Sequence, residues 1–483
     1  MKQINCFIAC DEFVLAEKTV QQISQSPLVK SIYLLVKKGN NIHIEGCKSL
    51  VVDSILSTET IRKIDEKSDT PFTLIYTKNT ILELGQYALE RLFHIAESTN
   101  AGLVYADYYQ IVEGVRSNLP LIDYQEGSLR DDFNFGSLLF YNSKFLKIAV
   151  QETTENYKFA GLYNLRLKVS QQAAVIHINE YLYSELEDDT RKSGDKQFDY
   201  VDPKNRAVQM EMEAACTDYL KKIGAFLKPN FKAITFDEGN FLVEASVIIP
   251  VKNRVKTIED AIKSVLMQQA NFDYNLIIVD NFSSDGTSEI IDKYTKTDSR
   301  VIHVVPNRTD LGIGGCWNVG VDLDICGKFV VQLDSDDIYQ DENTLQTIVN
   351  AFYEQNCAMV IGSYTMTNFA METIVPGLID HQEWTPENGR NNAFRINGLG
   401  APRAFYTPVL REIKVPNTSY GEDYALGLRI SREFQIGRIY NSLYLCRRWD
   451  ENSDAALDVV KMNSYNFYKD KIRTIELMAR RKR

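Results

Sequence analysis

The sequence is poor in the features that mark a metal finger, a disulfide scaffold, a polyanion binder or a membrane span. Its eight cysteines, Cys6, Cys10, Cys47, Cys216, Cys316, Cys326, Cys357 and Cys446, are scattered over 483 residues without one C-x-x-C pair. That spacing supports neither a zinc site nor a disulfide framework, and reduced thiols in a cytosolic protein are the simpler reading. Basic charge is also short: 54 Lys and Arg stand against 65 Asp and Glu, a formal net charge of −11. A nucleic-acid binder needs the reverse balance to neutralise phosphates, so no nucleic-acid partner is expected. An uninterrupted apolar run of about 18 residues, the length a membrane helix needs, occurs nowhere. The start, Met1 to Asp11, has too short an apolar stretch for a signal peptide. The expectation is a cytoplasmic chain. Its basic end, Ala479-Arg-Arg-Lys-Arg483, has two readings. One is peripheral contact with anionic lipid at the inner face of the membrane, at about 1 kcal/mol per basic residue; the other is a solvated helix end favoured by the macrodipole.

What is present is ordinary globular composition, 44% hydrophobic and 25% charged, so the chain is ordered and long enough for two to four cores. From Ser246 onward strands and helices alternate. Ser246–Pro250, Leu276–Val279, Val301–Val305 and Phe329–Leu333 read as strands; Thr257–Gln269, Ser288–Tyr294 and Gly314–Asp322 read as helices. Such alternation gives a parallel sheet with right-handed crossovers. The first half repeats the order more faintly, with strands at Ile4–Ala9, Ile32–Val36, Leu50–Val52 and Phe72–Tyr76 and helices at Phe13–Ser24 and Ile81–Ser98. Leu165–Ser170 lies over Leu426–Ser431 and Tyr181–Tyr183 over Ser442–Tyr444 at one common spacing. Phe72 lies over Phe329, and Gly136 with Phe140-Tyr141 falls near Gly400 with Phe405-Tyr406. The chain reads as a tandem duplication. Expected boundaries are 1–184, a partly helical linker 185–244, 245–454, and a helical extension 455–483 with the basic tail.

The chemistry gathers in the second half. The apolar run Phe329–Leu333 ends in Asp334, Asp336 and Asp337, where a parallel strand meets its loop. Ligands of open α/β sheets sit outside the carboxyl ends of the strands, and two aspartates one residue apart suit a hard divalent cation that carries phosphates. Taken alone, the same residues also fit an acidic helix cap. Four further features accompany them. A turn with Asn253 and Arg254 follows the opening strand. Asp280 ends the second strand, placed to accept from a nucleobase N–H or a ribose hydroxyl, with Asp285-Gly286 making the turn. Asn307–Asn318 is a glycine-bearing loop opening a helix, whose N–H groups suit a diphosphate. Gly421-Glu422-Asp423-Tyr424 begins another helix, where an acidic first turn alone would be only a dipole effect.

Together and in this order these motifs resemble the family-two glycosyltransferases of GT-A fold, over roughly Ala245 to Ser453. The resemblance implies an α/β architecture of two tandem GT-A (nucleotide-diphospho-sugar transferase, Rossmann-like) domains. It implies a nucleotide-sugar donor, Mg²⁺ or Mn²⁺, an inverting reaction, and a glycan or lipid-linked acceptor. The implied donor contacts are Pro250, Val251, Asn253, Arg254, Asp280, Asp285, Gly314, Asn318, Asp334, Ser335, Arg447 and Arg448. The implied metal ligands are Asp334 and Asp336, and Asp423 is the base with Glu422 as its alternative. The late motif Cys446–Ser453 would close over the phosphates. Trp384, Trp449 and Arg403 are candidates to line the acceptor site, core packing being equally open to the tryptophans. The loop Gly377–Phe394 is expected to act as a lid. In the first half Thr77 and Asn79 stand at the metal positions, Leu162 at the base and Lys37 at Asp280. A catalytically silent copy follows. The rival readings are a sugar-nucleotide pyrophosphorylase, for which Val251-Lys-Asn-Arg254 is a poor signature, a non-catalytic binding protein, and a two-site polymerase.

Overall fold

The computed structural model describes residues 2–40, 42–186, 202–237, 239–449 and 457–482. The chain divides into two compact units. The first contains β1 (Ile4–Cys10), β2 (Val29–Lys37), β3 (Cys47–Val52), β4 (Phe72–Tyr76), β5 (Leu82–Leu84), β6 (Leu103–Val112), β7 (Val115–Leu119), β8 (Leu138–Asn142) and β9 (Val175–Leu186). The second contains β10 (Ala245–Val251), β11 (Tyr274–Asp280), β12 (Val301–Val304), β13 (Phe329–Gln332), β14 (Ile338–Tyr339), β15 (Met359–Thr367), β16 (Thr373–Ile379), β17 (Arg403–Tyr406) and β18 (Ile436–Arg447).

Each unit holds one nine-stranded mixed sheet. The first has the order β3-β2-β1-β4-β8-β6-β9-β5 with β7 on β6, and the second β12-β11-β10-β13-β17-β15-β18-β14 with β16 on β15. Adding nine to every strand number of the first gives the second. The correspondence extends to register: β6 and β9 slip between Ala106 and Tyr108, and β15 and β18 between Ile361 and Ser363. The fold is therefore two tandem α/β domains of one topology, as expected from the alternation of elements.

The local chemistry explains the elements. Strands β10 and β11 are almost wholly apolar and buried, because a parallel strand between helix layers is covered on both faces. The helix Ile258–Leu266 buries Ile258, Ala261, Ile262 and Val265, the one-face spacing of an amphipathic helix, with Glu259 and Asp260 in its first turn. Phe329 at the start of β13 stacks on Phe352 at 4.3 Å, with Phe236 and Tyr406 edge-on to it or tilted. Each fully buried side chain of this size is worth about 1.5–3 kcal/mol, so this cluster fixes β13 and with it the aspartate loop that follows.

Several expectations shift. Ile81–Ser98 is not one helix: Leu82–Leu84 pairs with β9, and the helix is Ala88–Thr99. At Gly85 between them a Cβ would lie 2.9 Å from the Leu182 carbonyl oxygen. The ladders set Asn142 opposite Phe72 and Tyr406 opposite Phe329, so Phe140-Tyr141 corresponds to Ala404-Phe405, one residue from the sequence pairing. Likewise Cys10 faces Val36 as Val251 faces Asp280, which puts Val36 rather than Lys37 at the Asp280 position. The helices Arg206–Lys222 and Val459–Arg480 belong to the first unit. In the latter, Asp470 accepts from Ser128 and pairs with Arg473, and Arg480 is buried against Glu476 at 2.8 Å. Arg481 pairs with Glu126. Arg480 is thus buried and Arg481 is paired at the surface, so neither is a free basic group for lipid contact. The proposed lid is also corrected. His381, Glu383, Trp384, Arg390, Asn391 and Asn392 are buried, and Asn391 exchanges two hydrogen bonds with the Leu227 backbone. Residues 389–396 are packed core.

Candidate active site

The carboxyl ends of β10, β11 and β13 carry three loops that hold one another. After β10, Asn253 adopts a positive φ of 54°; its N–H donates to Ser283 Oγ at 2.9 Å and its Oδ1 accepts from the Ser284 N–H at 2.8 Å. The Arg254 N–H donates to Thr287 Oγ1, and Asp285 accepts from the N–H groups of Val255 and Thr287. Asn281 N–H closes the pattern on the Val251 carbonyl, while Pro250 continues the buried strand. The turn residues expected at the donor site are therefore brought together as one hydrogen-bonded floor. Asp280 is buried and fully engaged: Oδ1 accepts from the Ser283 N–H, and Oδ2 from Ser288, with His303 Nε2 at 3.3 Å. Burial would raise its pKa, but the bonds from Ser288, Ser283 and His303 outweigh this and hold it below the usual carboxylate range. In this structure it orders the turn.

Beyond β13, Thr257 Oγ1 donates to the carbonyl of buried Ser335 and anchors the aspartate loop to the first turn. Asp334 accepts from Gln332 Nε2 at 2.9 Å, and its own N–H donates to Tyr444 Oη. Asp337 accepts the Arg447 N–H at 2.7 Å. Burial, then the charges of Asp336 and Asp334, push Asp337 well above its ordinary pKa; burial also raises Asp334, with Arg403 opposing. Asp336 lies beside Arg254, Oδ2 to Nε 4.0 Å. Carboxylates crowded in this way favour a cation among them. Among the described residues no group of three or more His, Cys, Asp or Glu side chains is arranged to hold a metal. The donor set is a carboxylate pair that fits a cation completing its shell with diphosphate oxygens and water.

The helix Glu422–Ser431 delivers the second acidic pair from a distant part of the sequence. Arg403, at the start of β17, pairs with Asp423, Nη1 to Oδ2 2.6 Å, and its charge is held up by Asp423 first and Asp334 next. Asp423 by a direct ion pair and Asp334 by its charge thus act on one guanidinium. Glu422, beside Asp423, is driven up to about 8 by burial and then by its acidic neighbour.

Five of the expected site residues, Gly314, Asn318, Arg447, Arg403 and Trp384, are engaged within the protein. Gly314 and Asn318 do not cradle a diphosphate. The N–H groups of Gly312, Ile313 and Gly314 donate to Asn417 Oδ1, Ser419 Oγ and the Thr418 carbonyl, and Asn318 exchanges two bonds with the Val415 backbone. A Cβ at Gly314 would lie 1.9 Å from the Pro416 carbonyl oxygen. The glycines let this helix start pack on the segment leading to Asp423. Arg447 is no surface clamp: only 3% exposed, it bonds the Asp336 carbonyl at 2.6 Å and Asp260 at 2.8 Å, bracing the aspartate loop from behind. Arg403 is tied to Asp423 and the Gly400 carbonyl rather than offered to an acceptor. Trp384 is buried, with Gly389 beneath its ring. Trp449 is only half-buried, 5.1 Å from Phe369, with the Lys256 ammonium 5.6 Å from its ring. Arg448 donates its N–H to the Thr367 carbonyl; Asp450 to Ser453 of the late motif lie outside the described residues. Sequence reasoning missed Gln332, Tyr444, Asp260 and Asn417. Only the repeated tyrosine, Tyr183 over Tyr444, offered a signal.

In the first unit the polar groups at the strand ends satisfy one another. Asn79 and Lys37 both donate to Asp11, at 2.7 and 2.8 Å, and buried Glu185 pairs with Lys78 and accepts from Ser137. The helix Gly161–Ser170 matches Glu422–Ser431 in length and place, setting Gly161 and Leu162 at the acidic pair.

Comparison with known proteins bears on the second unit. Residues 246–405 match the family described as Glycosyl transferase family 2. GlyG, a glycosyltransferase of Streptococcus pneumoniae serotype 4, is 30% identical over 119 residues, 25% of this chain and 38% of GlyG. The Campylobacter jejuni GalNAc(5)-diNAcBac-PP-undecaprenol beta-1,3-glucosyltransferase is 37% identical over 92 residues, 19% of this chain and 29% of that enzyme. The chain thus spans well under half the length of these relatives. A S. aureus TarS structure in complex with UDP-GlcNAc aligns with a TM-score of 0.38 at 20% identity, over 49% of this chain and 72% of that one.

Proposed function

Since residues 246–405 form a family 2 glycosyltransferase domain, we propose that this protein transfers a sugar from a nucleotide-diphosphate donor to an acceptor hydroxyl, with inversion. The acceptor is a glycan or lipid-linked saccharide of surface polysaccharide or glycoconjugate synthesis, and the Campylobacter relative's name, which contains PP-undecaprenol, supports the lipid-linked kind. The observation that carries the reading is the approach of Asp334 and Asp423, from β13 and a helix far along the chain, to the single cation Arg403. Asp334 and Asp336 would hold Mg²⁺ or Mn²⁺, which when bound offsets the negative charge growing on the leaving diphosphate. Arg254, beside Asp336, adds a second positive group on that side. The floor of Asn253, Asp280 and Asp285 orients the nucleoside. Asp423 accepts the proton of the attacking hydroxyl, and a single displacement with a single base inverts the anomeric centre.

The test is Asp423→Asn. Turnover should fall about 10²- to 10⁴-fold while donor binding, read by calorimetry, persists. Near-parental turnover would remove Asp423 as the base. Donor identity is read from a thermal-shift screen of UDP-, GDP-, CDP- and dTDP-sugars with Mn²⁺, because a ligand of the native state raises stability by mass action. For the first unit we propose a catalytically silent copy, supported by Thr77, Asn79 and Leu162 at the metal and base positions. Among the described residues no helix is long and apolar enough to cross a membrane.

A further inference from the structure

The Glu422-Asp423 pair poses a choice that the motif alone does not make: two adjacent carboxyl groups on one helix start, either of which could serve as base. Three observations separate them. Asp423 Oδ2 lies 2.6 Å from Arg403 Nη1. Glu422 Oε2 is buried without a hydrogen-bond partner among the described residues. Arg403 from β17 and Asp334 from beyond β13 both act on the pair, and Arg403 bears on each carboxyl group but forms its ion pair with Asp423. Several carboxyl groups packed together cannot all be ionised, and a cation placed against one of them decides which keeps its charge.

We propose that Arg403 is the positioning residue of the reaction: by pairing with Asp423 it keeps that carboxylate ionised and aimed, and leaves Glu422 as the protonated, hydrogen-bond-donating member of the pair. The inference rests on the reading of Asp423 as the base and deepens it. Its chemical content is a division of labour. Asp423 takes the hydroxyl proton, and Glu422 donates its O–H to an oxygen of the incoming acceptor without giving the proton up. Burial supports this, because it pushes the Glu422 carboxyl up to about 8. Arg403 is itself anchored by its Nη1 to the Gly400 carbonyl and by its N–H to Gln332 Oε1, and Gln332 holds Asp334. Arg403 therefore links the base, which its guanidinium holds, to the aspartate loop, which its backbone N–H reaches through Gln332.

The experiment uses the full chain with saturating Mn²⁺ and follows UDP release from UDP-glucose and from UDP-N-acetylglucosamine, water serving as acceptor, between about pH 5 and pH 9. Arg403→Gln should displace the acidic limb of the kcat profile upward by about one pH unit or more, because an uncompensated Asp423 holds its proton more tightly. Its deficit should therefore shrink as pH rises. Arg403→Lys, which keeps a cation, should leave the limb near the parent's position with a lower plateau. An equal loss at every pH in Arg403→Gln, or limbs displaced alike in Gln and Lys, overturns the proposal and leaves a merely structural arginine. If neither donor is turned over, thermal unfolding decides. In a cycle of Arg403→Gln and Asp423→Asn, the two single variants should lose more stability in sum than the double variant at pH 7.5, and additive losses overturn the pairing. An active Asp423→Asn sinks the base reading. An inactive Asp423→Asn with an undisplaced Arg403→Gln profile sinks only this inference.

Discussion

The two units of this chain follow one strand order and share the register slip of β6 on β9 and of β15 on β18, yet they differ at almost every position where the second carries charge at a strand end. Strand interiors are held by burial, and any substitution there meets packing on both faces. Loops at the carboxyl ends carry no such constraint. In the second unit that freedom is spent on Asp334, Asp336 and Asp423, held apart and addressed by Arg403 and Arg254. In the first it has gone to self-satisfied pairs, Asp11 with Asn79 and Lys37, and Glu185 with Lys78 and Ser137. The lesson is that a sheet of this topology is stable with or without chemistry at its rim, so function is read from the rim.

The contrast can be broken experimentally. After the base itself, the largest expected difference lies between Asp336 and its counterpart Asn79. Asp336→Ala should weaken Mn²⁺-dependent donor binding on the order of tenfold or more, the worth of one lost ionic contact. Asn79→Ala should leave it unchanged, and equal losses by calorimetry would mean that both rims bind donor. Next comes Gly314→Ala, a test of the packing role assigned above: a Cβ forced against Pro416 should cost about 1 to 3 kcal/mol in urea unfolding. A variant with parental stability but lost donor affinity would restore the diphosphate-cradle reading.

A smaller effect is expected at Glu422, whose counterpart is Gly161. Burial and the neighbouring Asp423 push the Glu422 carboxyl from the 4.5 of a solvated glutamate up to about 8 in the folded protein. Between those pH values the unfolded chain binds fewer protons than the folded one, so this residue makes stability fall as pH rises. Glu422→Gln has no such proton, and its melting temperature relative to the parent should climb from pH 5 to pH 8 in metal-free buffer. A difference that stays flat across that range would show Glu422 to be ionised and solvated.

Much of this was legible beforehand. Apolar runs such as Val247–Ile249 and Phe329–Val331 predict buried strands because no other placement covers both faces. Phe13–Ser24 and Phe72–Tyr76 were read with the bounds the structure has. The short strand Leu82–Leu84 was not, since three residues carry no period and only pairing with β9 makes them a strand. The acidic residues of the site were visible as motifs. Their working relations were not: Gly314 looked like a phosphate loop because free N–H groups cannot be told from occupied ones in a sequence, and Asn417 and Thr418 occupy them.

Sequence alone determined the two-fold repetition, the strand-end placement of Asp334, Asp336 and Asp280, and the absence of those acids from the first half, because periodicity and local residue order encode strands, turns and their ends. Tertiary structure alone decided which charges meet: that Arg403 faces Asp423, that Arg447 is buried behind the aspartate loop, and that Trp384 is core. Charge pairing depends on distances of a few ångströms between residues tens of positions apart, and those distances are set by how the sheet and helices pack.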